Sequence, residues 1–488
     1  MANYNQQGRV GVAQHPKDPA SMAAIRFWRH AVNAPMKPNR VHLAVFALLM
    51  TVYGAWLAAF WPGIFGQDSL AVVRHVEGDG TFQSGKPLFW YLFVRTLYGP
   101  SLLVEWPVMA QLLGCALIFT RILGWCWAQG LKGVFFFVLV FIALAPPVLY
   151  YGSALYPDGL FAAAAAGLCF EAWLIARGRR VGTVSLIWLL TLTPAALFLR
   201  SNGIYLVAVL IPVLFSVQRK DKVKIVSVVL LWITAFLAAD RVYGPIQEHG
   251  ALFPLAVFES VNFVQPSATG LLPENYFLTE PTLDVLRNRG PIRDILSFYY
   301  RDYWDPLIYV GYGPTLGSLN AAQRDVIVRE FLCCNLWSNF PAFAASRLNV
   351  FLVSALGKGW FTRLDDVTRL LPQTRSQSQI RPFPVTDLRN SMQAAFDWSF
   401  RYRWILWTPF LGIALVAALM LRGWRRRDWV LFFLVAPFAV QLGGIFLMSV
   451  AGEHRYMLPF FIGAAAWLPM WFAADPASPE RPSSPEGD

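Results

Sequence analysis

The chain has 488 residues, of which 56% are hydrophobic, 15% aromatic and only 14% charged, with a mean hydropathy of +0.45. Soluble domains carry roughly 25% charged residues, and a water-soluble fold could not hide this much apolar surface, so lipid solvates part of it. The net charge of +12 would suit nucleic acid in a soluble protein, but here Lys and Arg cluster between apolar runs, the pattern that orients spans; membrane lipids are the expected partner and nucleic acid is not.

In chain order, residues 1–42 are polar and basic, with no signal-peptide core before Arg40, and read as a cytoplasmic tail ahead of a retained first span. Runs of about 17–25 apolar residues can cross a bilayer. About ten spans are expected by that rule, near 43–61, 102–124, 134–150, 158–176, 183–199, 203–217, 225–239, 405–421, 429–449 and 456–473. Residues 43–239 would form an N-terminal bundle whose first outer loop, 62–100, contains an interfacial helix at 87–99. Residues 240–404 form a long, mainly helical outer segment: 320–335 has helical spacing, 341–357 is apolar but interrupted by Arg347, and 372–390 reads as loop. Residues 405–473 are C-terminal membrane helices, and 474–488 a disordered cytoplasmic tail.

The loops at 128–133, 177–181, 218–224 and 422–428 hold twelve Lys and Arg, against four in the short alternate loops. The positive-inside rule then places both termini in the cytoplasm of an inner (plasma) membrane protein and 240–404 outside. Five cysteines show neither a disulfide framework nor metal-type spacing. No metal site is expected, and no cofactor can be named.

Charged groups at span ends are the candidates for chemistry, because leaving one in hydrocarbon costs several kcal/mol on most scales. Four places qualify, all on the outer side. In WPGIFGQDS (61–69), Asp68 follows a helix-ending Pro62–Gly63 and is either a partly desolvated general base or an N-cap; Gln67 adjoins it. In YYGSALYPDG (150–159), Asp158 opens a span, with capping favoured because nothing titratable stands near it in sequence. In FLRSNGIY (198–205), Arg200 could hold a phosphate or snorkel to headgroups, with Asn202 beside it. In AGEHRYMLP (451–459), Glu453, His454, Arg455 and Tyr456 crowd one short turn. Lys86, before Pro87, could meet an anionic headgroup or sit at the surface. P-loop, Rossmann, HExxH and GxSxG patterns are missing.

At these positions the chain resembles the GT-C superfamily of membrane glycosyltransferases, in the prokaryotic branch that uses polyprenyl-phosphate sugars. PGIFGQDS (62–69) is similar to its "PGxxxxDS", YPDGLFA (156–162) to its second acidic position, RSNG (200–203) to its "RxNG" turn and RYMLP (455–459) to its "RYxLP". The matches are dispersed over 60–460, in the expected order. The resemblance implies a GT-C-like all-α bundle that transfers a sugar from a polyprenyl-phosphate carrier to a glycan, lipid or protein. Asp68 would be the base, Asp158 its helper, and Lys86, Arg200 and Arg455 the donor-phosphate ligands. Lys86 stands where the family usually has His before Pro. A transporter or flippase, a polysaccharide polymerase or ligase, and a non-catalytic scaffold are the competing readings; a transporter would favour repeated halves and midplane charges.

Overall fold

The computed structural model describes residues 38–78, 87–243, 252–265, 277–357, 359 and 361–473. The architecture is all-helical, and the described residues contain no strand beyond three isolated bridges. Labels number, in chain order, the α-helices of eight or more residues.

The N-terminal bundle comprises α1 (Pro38–Ala59), α2 (Gln67–Glu77), α3 (Leu88–Tyr98), α4 (Glu105–Ala128), α5 (Lys132–Leu144), α6 (Pro146–Ser153), α7 (Pro157–Gly178), α8 (Thr183–Phe198) and α9 (Arg219–Tyr243). A 3-10 helix, Ser201–Leu210, runs into a short α-helical piece, Ile211–Ser216, between α8 and α9. The outer segment holds α10 (Leu252–Phe263), α11 (Glu280–Arg287), α12 (Ala321–Glu330), α13 (Phe340–Leu356) and α14 (Thr386–Arg401). The chain returns through α15 (Phe410–Arg426), α16 (Trp429–Met448) and α17 (Leu458–Phe472).

Six described helices are long and apolar enough to cross a membrane, or seven if the bent pair α5–α6 counts as one. The bend of 51° has a local cause. Pro146 lacks an amide donor and pushes Ala145 into extended backbone, so the helix must restart. Of the other expected spans, 183–199 and 456–473 form helices of 16 and 15 residues, and 203–217 is mostly 3-10 helix.

Helix α7 is the axis of the bundle. Its Ala162–Ala166 run is buried, and α4, α8 and α17 pack around it. Small residues let helix backbones approach where lipid supplies no hydrophobic drive; a Cβ on Gly167 would lie 2.8 Å from the Ile118 side chain. All five cysteines are free.

A second apolar core gathers α10, α11, α12 and the first half of α13. At its base a fully buried ion pair joins Arg347 of α13 to Glu259 of α10. Ser346 and Asn262 also donate to the Glu259 carboxylate, at 2.7 and 3.0 Å, and Arg347 donates to the Ser449 carbonyl. The interruption of 341–357 by Arg347 is thus the point where the outer segment is fastened to the turn after α16. The loop at 372–385 lies on the first outer loop, with Arg375 N–H donating to Glu77 (2.8 Å) and Gln377 N–H to Leu102 (2.9 Å).

Removing one partner of a buried pair leaves an uncompensated charge, whereas replacing both costs far less. Glu259→Ala is expected to destabilise the outer segment by about 3–5 kcal/mol and to open 277–357 to protease. Glu259→Leu with Arg347→Met should recover most of that loss in thermal unfolding. A double variant as unstable as the single one would contradict this account.

Candidate active site

The site begins with the turn after α1. Gly63 has φ +124, and a Cβ there would meet the Ser153 carbonyl at 2.9 Å and the Val108 side chain at 3.1 Å, so this backbone favours glycine. Ile64 then runs beside the strap linking α6 and α7: its N–H donates to Ser153 O, and Leu155 N–H donates to Ile64 O, both at 3.0 Å. Gln111 of α4, fully buried, offers its amide to the carbonyls of Tyr151, Gly152 and Ala154 at 2.8–2.9 Å. That fastens the strap from the other side. At Gly66 a Cβ would fall 1.7 Å from Tyr156 Oη and 2.4 Å from Thr362 Oγ1. Ser69 accepts from Gly66 N–H (3.1 Å) and donates to Leu155 O (3.1 Å). Gly63, Gly66 and Ser69 of PGIFGQDS therefore each answer to a contact with the strap.

This frame presents Asp68 in the first turn of α2, where the helix dipole favours a carboxylate. The N-cap is Gly66, so Asp68 does not cap. Its side chain, 25% exposed, pairs instead with Arg455, from the turn between α16 and α17. Arg455 also pairs with Glu453. Asp158 does not cap either: Tyr156 is the N-cap of α7, and Asp158, 1% exposed, pairs with Arg200. The reading that nothing titratable stands near Asp158 fails because Arg200 arrives from 42 residues away.

The two pairs share one neighbourhood. The guanidinium carbons of Arg200 and Arg455 lie 5.2 and 5.6 Å from the Tyr456 ring centre, and Arg455 lies 5.6 Å from that of Tyr156. Cations over aromatic faces gain about 0.5–2 kcal/mol. Burial opposes the charge on Arg455, but Asp68 and Glu453 outweigh it and hold the guanidinium protonated. Burial pushes the Glu453 carboxyl above the usual carboxylate range; Arg455 offsets this in part, while Asp68 and Asp305 add to it. Two acceptors in the neighbourhood, Asp158 Oδ2 and Asn202 Oδ1, are buried without a hydrogen bond. Buried acceptors in a finished interior are rarely left so.

Not every candidate joins the cluster. Gln67 is exposed. His454 turns to the Trp407 carbonyl and lies parallel to the Tyr151 ring, 6.3 Å away, so it works in packing. Lys86 lies outside the described residues. Three participants have no motif to mark them: Gln111, Thr362 (2.6 Å from Tyr156 Oη) and Asp305. A fourth, Tyr156, stands inside YPDGLFA, as the residue before Pro157.

Directly after Arg200 and Asn202 an apolar groove of about 790 Å³ opens between the 3-10 helix and α16. Ile204, Tyr205 and Val440 line its end nearest the cluster, and Phe215, Trp429 and Phe433 its far end. No family model, curated protein or solved structure matches this chain.

Burial pushes the His454 imidazole down to about 4. An imidazole in the unfolded chain binds its proton below about pH 6.5. Between those values the unfolded state holds more protons, so stability falls as pH falls through that window. His454→Gln keeps a donor for Trp407 and removes the titration. The wild-type melting temperature is expected to drop further than the variant's between about pH 7 and about pH 4.5. Glu453, whose raised carboxyl acts in the opposite sense, is common to both proteins. Equal drops would exclude His454 from acid sensitivity.

Proposed function

We propose that this chain is a membrane glycosyltransferase of the GT-C kind, moving a sugar from a polyprenyl-phosphate carrier to an acceptor on the extracytoplasmic face of the inner membrane. The observation that carries the reading is the Asp68–Arg455 pair beside the Arg200–Asp158 pair, four side chains from separate parts of the chain, with an apolar groove running along the residues that follow Arg200. A base, two cations and an adjoining apolar channel are what a lipid-borne phosphosugar requires.

In the proposed reaction the acceptor hydroxyl gives its proton to the Asp68 carboxylate. Its oxygen bonds to the anomeric carbon, while the bond from that carbon to the phosphate oxygen breaks. The electron pair leaves with polyprenyl phosphate. Arg455 and Arg200 stabilise the negative charge that grows on the departing phosphate, and each already has a carboxylate fixing its direction. Asp158 is a positioning residue for Arg200, and Asn202 and Tyr456 complete the wall. The carrier's hydrocarbon lies in the groove along 204–215.

The topology that goes with this function has ten crossings, with cytoplasmic termini. Ser201–Ser216 supports it, because 3-10 and α geometry together carry those sixteen residues across about 29 Å, the thickness of the hydrocarbon core.

The test uses the full chain in lipid nanodiscs, with lipid-linked sugars from the same cells as donor. Asp68→Asn should lower transfer roughly 10²–10⁴-fold, the usual contribution of a general base, with the melting temperature near that of wild type. Arg455→Lys keeps charge but loses the planar fork, so it should weaken transfer as well. An Asp68→Asn protein with full activity would end this assignment.

A further inference from the structure

The segment after α11 reaches the same cluster from outside. Gly452 N–H donates to Asp302 O at 2.7 Å, and Tyr303 forms an isolated bridge with Ala451. Residues 302–305 are thereby held against the turn that carries Glu453 and Arg455. Tyr303 Oη donates to Asp305 Oδ2 at 2.5 Å, which sets the direction of that carboxylate. Trp304 meets the Tyr309 ring edge-to-face, centroids 5.8 Å apart, so the ring is braced by a neighbour.

Tyr309 nevertheless exposes 68% of its surface. Its phenol is pushed up all the same, first by the protein crowding around it, then by Asp305 and by Asp68. Tyr309 is thus an open ring on the segment that Ala451 and Gly452 hold beside the turn carrying Arg455, the partner of Asp68.

From this geometry we infer that Asp305 and Tyr309 form the acceptor subsite, and that the acceptor is a carbohydrate. The inference rests on the transferase reading and chooses among its three acceptor classes. A sugar offers a C–H face that stacks on an aromatic ring and neighbouring hydroxyls that donate to one carboxylate. A carboxylate accepts about four hydrogen bonds, and the Tyr303 phenol fixes the direction of the one on Asp305. A lipid acceptor would need an apolar wall, and the segment that carries Tyr309 also carries Arg301, Asp302 and Asp305. An extended peptide would need a strand edge or a row of pockets, and residues 300–312 are turns and one four-residue helix.

The experiment takes polysaccharide, lipid and protein fractions from cells lacking the gene as three acceptors. Radiolabelled lipid-linked sugars from the same cells serve as donor, with the full-length protein in nanodiscs. Label is expected in the polysaccharide fraction. Tyr309→Ala should raise the half-saturating amount of that fraction about tenfold, the worth of one aromatic stacking contact, with a much smaller change in rate at saturation. Tyr309→Phe, which keeps the ring, should behave as wild type, and Asp305→Asn should follow Tyr309→Ala. If wild type transfers and Asp68→Asn does not, but label enters protein or lipid, or Tyr309→Ala saturates like wild type, the acceptor inference is wrong and the transferase reading stands. If wild type labels no fraction, the transferase reading falls and the inference with it.

Discussion

Arg455 is the charge on which the candidate site of this protein is organised. It sits between Asp68 and Glu453, and its partner Asp68 is 387 residues away. A guanidinium at this depth without carboxylates would cost several kcal/mol, so the turn between α16 and α17 and the loop after α1 must come together. Among the described residues Asp68 and Glu453 pair with Arg455, and Asp158 pairs with Arg200, three carboxylates on two guanidiniums.

The same turn fastens the outer body to the membrane body. Arg347 holds Ser449, Gly452 holds Asp302, and Ala451 pairs with Tyr303. Within residues 449–455, Ser449, Ala451 and Gly452 thus hold segment 302–347, and Glu453 and Arg455 belong to the charge cluster. Displacement of the outer segment and displacement of Arg455 are one motion rather than two, because the backbone between them is too short to absorb a difference.

Membrane character and helical class were legible in composition, and the cluster residues were legible because charge at a span end is costly enough to need a reason. Asp68, Asp158, Arg200 and Arg455 all took part. Capping, an open alternative for Asp68 and the favoured one for Asp158, fails by two residues of register: Gly66 and Tyr156 hold the cap positions. The ten expected spans outnumber the six or seven long helices because 183–199 and 456–473 form α-helices of only 16 and 15 residues, and because a hydropathy window is blind to helix type. Residues 201–216 have the composition of a span but are mostly 3-10. Gln111 and Asp305 escaped notice for a different reason. A glutamine inside an apolar helix and an aspartate inside a polar loop carry no sequence sign of the carbonyls or cations they will meet.

That 3-10 helix has a geometric consequence for the groove. Ten residues are unusual for a conformation that rarely exceeds three or four. With three residues per turn, side chains stack in straight columns, Ile204 over Val207 and Tyr205 over Ala208 and Ile211, and these are groove-lining positions. An α-helix of the same sequence would wind those columns into a slanting ridge and be shorter by about 5 Å. The straightness of the channel wall and the distance separating Arg200 from the far end of the groove are therefore two readings of a single backbone choice.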